Sequence, residues 1–314
     1  MSFSEAAEVE RYMRSEAALL LAHDASEFVT GLRESVDRIF LSADNKPTAM
    51  HSVLEMEPGT KTTSTVIDGI DCEWVYADGA DFSQRLLYLH GGGMVAGSAK
   101  THRAMISRIA TRTNTAILVP NYQLAPENPF PAAPKDAITL VNWLWKNSPQ
   151  GRSAAQKLFL AGDSAGGGLV LSLLVNYRNE FTTMPDAAAT FSAVCDFGAT
   201  SPSMTLNAES DALLSKEAIQ GLGHIYGDGV SLSDPLISPL NGDIDGLPPL
   251  HMQVSDSEVL LNDTSLFFEK HKANGGLGEL RIYSNMVHVW QAFSPYLPEA
   301  NEALDDLAKF FHKH

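Results

Sequence analysis

The chain has 314 residues, of which 44% are hydrophobic and 19% charged, and its formal net charge is -16 at pH 7. That composition describes a folded globular protein with ample core, and the acidic balance argues against nucleic acid or an anionic membrane as partner, since both call for clustered Lys and Arg. Two cysteines, Cys72 and Cys195, stand far apart with no CxxC, so neither a disulfide framework nor a cysteine-ligated metal site is expected.

Residues 1 to about 45 read as helical, with apolar positions three and four apart and no proline before Pro47. The apolar run from Ala17 to Ala22 is too short for a signal-peptide core or a membrane span, which predicts an intracellular, cytoplasmic protein. From Thr62 the rhythm changes. "TSTVID" and "CEWVYAD" read as strands around a turn at Gly69, and strands then alternate with helices. "RLLYLH" precedes the helix "AKTHRAMISRIATRT", and "AILVPNY" precedes "AAPKDAITLVNWLWKN". "KLFLAGD" runs into "SAGGGLVLSLLVNYRN", and "TFSAVCDF" reads as the next strand. "LHMQVSD", the helix "DTSLFFEKHKANG", the strand "GELRIYS" and a last helix "PEANEALDDLAKFFHKH" complete the series.

Alternation of this kind predicts a mostly parallel sheet with helices on both faces. Residues 200–247, rich in Ser, Asp, Gly and Pro, interrupt it, with one helix-like stretch from Lys216 to Ile225. With the N-terminal helices they form a candidate cap over the C-terminal edge of the sheet. The plainer alternative is a long surface insertion.

Two motifs carry chemistry. In "LFLAGDSAGGG", residues Gly162 to Gly166 form a G-x-S-x-G between a strand and a helix. Such a turn exposes its serine at the sheet edge, and only small neighbours fit around it. Earlier, "LYLHGGGMVAG" leaves a buried strand and continues as three bare glycines. Ordering glycine is entropically unfavourable, so three in a row imply a close approach to the main chain or N–H groups aimed at something. Acyl transfer through a serine needs such donors where negative charge develops. Gly92 and Gly93, with Ala165 after the serine, are the candidate donors, and His90 is read as an anchor of the loop by hydrogen bonding, not a catalyst.

An activated serine also needs a histidine oriented by a carboxylate. Six of the ten histidines follow Ser164. His224 lies in the candidate cap, His251 starts a strand ahead of the plausible acids, and His271 between lysines reads as solvated. His312 and His314 lie in the tail. His288, in "NMVHVWQAF" just past a late strand, is the candidate base. Asp256, Glu258 and Asp263 in "LHMQVSDSEVLLND" are the candidate acids. The residues alone do not separate Asp256 from Glu258, and Asp263 reads as the N-cap of the next helix.

"HGGG", "NYQLAPENPFPAA", "GDSAGG", the acid loop and "YSNMVHVWQAF", in this order, resemble the hormone-sensitive lipase-like (bacterial family IV) esterases from about Leu86 to the C-terminus. The resemblance implies an α/β-hydrolase fold, a mostly parallel central sheet flanked by helices, with a helical cap. Residues 1–48 would be the N-terminal part of the cap, 49–314 the catalytic domain, and about 200–247 a second cap segment. It implies Ser164 as nucleophile, His288 as base, and oxyanion donors at Gly92, Gly93 and Ala165. Many members carry Asp-Pro-Leu in the acid loop, whereas "SEVLLND" aligns Glu258 with the triad acid. Gln123 stands where Arg is usual, a change expected to leave the chemistry alone. "HVW" replaces the common His-Gly-Phe, which would put Trp290 near the site and narrow it.

The implied function is serine carboxylesterase, acting on short-to-medium acyl esters through an acyl-enzyme, with a small-molecule ester as partner and no metal or organic cofactor. Relatives form dimers, so a homodimer is compatible with the resemblance. An amidase or peptidase would use the same triad. A non-catalytic ligand-binding relative would lack the histidine that His288 supplies.

Overall fold

The computed structural model describes residues 4–21 and 27–314; residues 1–3 and 22–26, part of the stretch read as helical, lie outside the described residues. The chain begins with α1 (Glu5–Leu21) and α2 (Phe28–Leu41). Strands β1 (Thr60–Ile67) and β2 (Ile70–Ala77) follow as a hairpin. Its turn holds Asp68 and Gly69 at φ 49° and 85°, the left-handed pair that a two-residue hairpin loop requires.

The alternating region then runs β3 (Asp81–Leu89), α3 (Ala99–Thr113), β4 (Thr115–Pro120) and α4 (Ala132–Leu144). A small separate hairpin, β5 (Asn147–Ser148) and β6 (Gly151–Arg152), precedes β7 (Lys157–Asp163) and α5 (Ser164–Asn176). After β8 (Ala187–Phe191) come the short α6 (Ser203–Leu206) and α7 (Lys216–Gly227). The chain ends with β9 (Leu250–Ser255), α8 (Leu261–Ala273), β10 (Gly278–Tyr283) and α9 (Pro298–Lys313).

The main sheet has the order β1-β2-β4-β3-β7-β8-β9-β10. β2 is antiparallel to both neighbours, and every later junction is parallel. Alternation along the central strands sends Leu87, Leu89, Leu118 and Leu160 to one face, where α4 and α5 cover them. Leu86, Tyr88, Val119 and Phe159 point to the other, under α3 and α9. Both faces are therefore buried, as a parallel sheet demands. The common direction of β3, β7, β8, β9 and β10 delivers all their following loops to one edge. This geometry brings the sequence motifs together.

Three expectations need correction. The strand read across "TFSAVCDF" ends at Phe191. Beyond it, the Asp263 carboxylate accepts the N–H groups of Cys195 (3.1 Å) and Asp196 (3.0 Å), which a strand would commit to its ladder. Asp263 is therefore not a helix N-cap; it lies inside the first turn of α8, whose capping position is Leu260. His271 is buried, not solvated: its Nε2 meets the Leu277 carbonyl at 2.9 Å while the flanking Lys270 and Lys272 stay exposed.

Glycine in α5 is a packing requirement. A Cβ on Gly166 would collide with the carbonyl oxygens of Leu89 and His90, which are backbone and cannot rotate away. Gly221 in α7 has open space at the same position. Gly166→Ala should destabilise by about 3 kcal/mol, the upper end of ordinary overpacking, because the clash is with fixed backbone. Gly221→Ala should stabilise by about 0.4–1 kcal/mol by restricting the unfolded chain. Chemical denaturation of the two variants beside the native protein checks both signs.

Candidate active site

β7 turns straight into α5 at Ser164, which sits at φ 53°, in the left-handed region that side-chain-bearing residues rarely occupy. That turn raises the hydroxyl from the sheet edge, and its Oγ lies 2.9 Å from Nε2 of His288. The other ring nitrogen, Nδ1, is 2.7 Å from Glu258 Oε2. Glu258 is buried, and its second oxygen accepts from the Ser192 hydroxyl (2.8 Å) and the Ser255 N–H (2.9 Å). Thus Ser164, His288 and Glu258, from three separate loops, form one continuous hydrogen-bonded chain.

Asp256, the other acid left open by the residues, is exposed and points elsewhere. Its Oδ1 accepts the N–H of Asn285 at 2.8 Å, tying down the loop that carries His288. Asp211, which no sequence signal marked, accepts the Val259 N–H at 2.9 Å and holds the far side of the Glu258 loop.

Burial alone would lower the His288 pKa. The hydrogen bond and charge of Glu258, joined by Asp211 and Asp163, overcome that and raise it above the ordinary histidine value.

The glycine loop lies against the elbow. Asp163 Oδ1 accepts the Gly91 N–H at 3.1 Å and the Tyr88 hydroxyl at 2.9 Å, and its Oδ2 faces His102 Nε2 at 3.4 Å. Burial works against that carboxylate's charge, but His102, Tyr88 and His90 prevail and hold its pKa below the usual value. A Cβ on Gly91 would strike Asp163. Gly92 and Gly93 take φ 119° and 66°, and the Gly92 carbonyl accepts the N–H groups of Val95 and Ala96. Among the described residues neither the Gly92 nor the Gly93 N–H has an acceptor. Ala165 adds its N–H in the first turn of α5, where helical N–H groups have no intrahelical partner.

His90 is held by stacking as much as by hydrogen bonding. Its ring lies on Tyr122 at 4.3 Å between centroids, Nδ1 meets the Gly91 carbonyl at 2.9 Å, and the Tyr122 hydroxyl donates to the His90 carbonyl at 2.7 Å. Burial, with His102 beside it, pushes the His90 pKa down to about 3, so the ring is neutral.

An apolar cleft with a few polar groups opens over Ser164. The segments expected to form a cap supply much of its wall: Met13 and Val36 from the N-terminal helices, Leu214, Ile219 and Leu222 from residues 200–247. Among the described residues no Lys or Arg lines it. Trp290 does not narrow it. That ring is fully buried with Met50 and Met286 and packs against Tyr283 at 5.0 Å, while Val289 lines the cleft instead. Val289 stands at φ 52°, a left-handed conformation that turns successive side chains in divergent directions. Gln123 is remote from the cleft, bonded twice to Asp136.

Residues 86–292 match the family described as α/β hydrolase fold. An esterase of Acinetobacter venetianus is 33% identical over 272 residues, 84% of this chain and 88% of that one. An acetyl-hydrolase of Streptomyces hygroscopicus is 34% identical over 258 residues, 82% of this chain and 83% of that one. A crystallised esterase of the bacterial hormone-sensitive lipase family superposes with a TM-score of 0.86 at 35% identity, covering 100% of this chain and 99% of the other. The chain belongs to the α/β-hydrolase fold family, and within it to the hormone-sensitive lipase-like esterases. Among the described residues no helix is long and apolar enough to cross a membrane.

The hydrogen bond and charge of Glu258 are the main causes that raise the His288 pKa, so neutralising that carboxylate has a definite sign. In Glu258→Gln the His288 imidazole should titrate at lower pH than in the native protein. NMR titration of the ring checks this, and an unmoved midpoint would contradict the coupling.

Proposed function

We propose that the protein is a serine carboxylesterase for uncharged, short-to-medium-chain acyl esters. The observation that carries this reading is the unbroken chain from Ser164 through His288 to Glu258, set beside unpaired glycine N–H groups in an apolar cleft. Ser164 Oγ attacks the ester carbonyl while His288 Nε2 takes its proton. Glu258 stabilises the resulting imidazolium and fixes the ring's orientation. The carbonyl oxygen becomes an oxyanion held by the N–H groups of Gly92, Gly93 and Ala165, each such donor being worth about 3–4 kcal/mol in related chemistry. The tetrahedral intermediate collapses, His288 gives the proton to the leaving alcohol, and an acyl-serine remains. Water, deprotonated by His288, attacks it and releases the acid as the proton returns to Ser164.

The absence of Lys and Arg from the described cleft walls supports an uncharged substrate. Residues 1–48 and 200–247 act as the cap, whose apolar side chains bound the acyl and alcohol arms. The two cysteines, buried and unpaired, suit the reducing cytoplasm.

p-Nitrophenyl esters from acetate to palmitate test the reading. The native protein should turn over the short members best. Ser164→Ala should lose roughly 10⁵- to 10⁶-fold in kcat. Glu258→Ala should lose about 10⁴-fold, whereas Asp256→Ala should stay within about tenfold of native. A Glu258→Ala enzyme with native activity would overturn the assignment of the acid. The kcat/KM profile should also fall on the acid side at a pH above the ordinary histidine value, because protonated His288 cannot accept from Ser164 and its pKa is raised.

A further inference from the structure

A second, narrower hollow lies beside the main cleft. Ile39, Phe40, Ala292 and Phe293 line both, so these four side chains form the partition between them. Beyond the partition the second hollow is bounded by Val53, Leu54, Ala104 and Met105, all apolar. Phe40 is the largest side chain that α2 contributes to the wall. It is half-buried, and its ring touches all three apolar clusters of the molecule. Stacking on His102, with centroids 4.5 Å apart and ring planes at 27°, pins it in place. His102 in turn faces Asp163, next to Ser164. The ring is therefore held from the catalytic side and has a narrow hollow lined by apolar side chains behind it.

We propose that Phe40 sets the length limit for an alkyl arm of the ester substrate, and that the hollow behind it is a latent extension of the substrate cleft. The inference rests on the esterase reading above. An unbranched alkyl chain extending from the ester toward α2 ends on the Phe40 ring. With the ring removed, the same path opens toward the second hollow, which Phe293 and Met105 also line. The side chains along that path are apolar, so each further methylene that packs against them gains up to roughly fourfold in transition-state affinity. The arm is either the acyl chain or the alcohol chain, and the two are separable by experiment.

The test uses two substrate ladders, p-nitrophenyl esters of increasing acyl length and n-alkyl acetates of increasing alcohol length. In Phe40→Ala, the optimum of one ladder should move to longer chains, with kcat/KM for a chain two methylenes past the native optimum rising about tenfold relative to butyrate or butyl acetate. The ladder that moves identifies the arm. Phe40→Leu should move it less, and serves if the alanine variant folds poorly. Refilling the hollow from the far side, in Phe40→Ala/Ala104→Leu, should return the optimum toward native. A ring that only steadied α2 would lower all members of both ladders in parallel, and Ala104→Leu would not restore anything; native turnover with that pattern would overturn the inference alone. Absence of native turnover on either ladder would overturn the esterase reading and this inference with it.

Discussion

The buried carboxylate of Asp163 is the contact on which the site depends. It stands at the last position of β7, so it is fixed by the sheet, and it immediately precedes Ser164. Its two oxygens engage Gly91, Tyr88 and His102, tying the elbow to the glycine loop and to α3. A buried carboxylate without partners would be far costlier than one with three, so the arrangement is close to all-or-none. Gly91 has to lack a Cβ for the same reason. The bare backbone after β3 thus makes room for the carboxylate beneath it, and among the described residues the N–H groups of Gly92 and Gly93, which line the cleft, have no acceptor.

A second layer of acids surrounds the histidine. Glu258 touches the ring directly, while Asp211 and Asp163 act on it from further away. Burial penalises an imidazolium, and this cluster offsets the penalty. The result is an imidazole whose protonated form is tolerated inside a cleft lined mostly by apolar side chains. Ser192, placed just past β8, spends its hydroxyl on Glu258 and so fixes which carboxylate oxygen is left for the ring.

Local chemistry was legible in the sequence, and long-range pairing was not. The elbow and the glycine loop declare themselves because strained turns restrict residue type within a few positions. The alternation of strands and helices declares a parallel sheet, and the parallel direction alone accounts for the convergence of loops. The acid was ambiguous because Asp256 and Glu258 are two residues apart. Only the path of the loop decides which reaches His288, and the structure turns Asp256 outward to hold Asn285. Asp211, Ser192 and His102 left no signal, since each acts across dozens of residues. The strand read too far past Phe191 had the right apolar pattern, but a buried Asp263 claims its N–H groups from another element.

The residues after His288 show how a single backbone conformation divides structure from function. Valine is β-branched, and holding it at φ 52° costs on the order of 1–3 kcal/mol. The strain persists because both neighbours are over-determined: His288 by Glu258 and Ser164, Trp290 by the cluster of Met50, Met286 and Tyr283. An extended backbone at Val289 would carry one of the two out of its place. The left-handed turn instead lets the imidazole face the cleft and the indole enter the core within three residues. Val289 itself is left as the apolar wall beside the base, a position where glycine would relax the backbone but leave the cleft wider. The cleft wall next to His288 is therefore supplied by a strained residue, Val289, and the wall toward α2 includes a stacked one, Phe40.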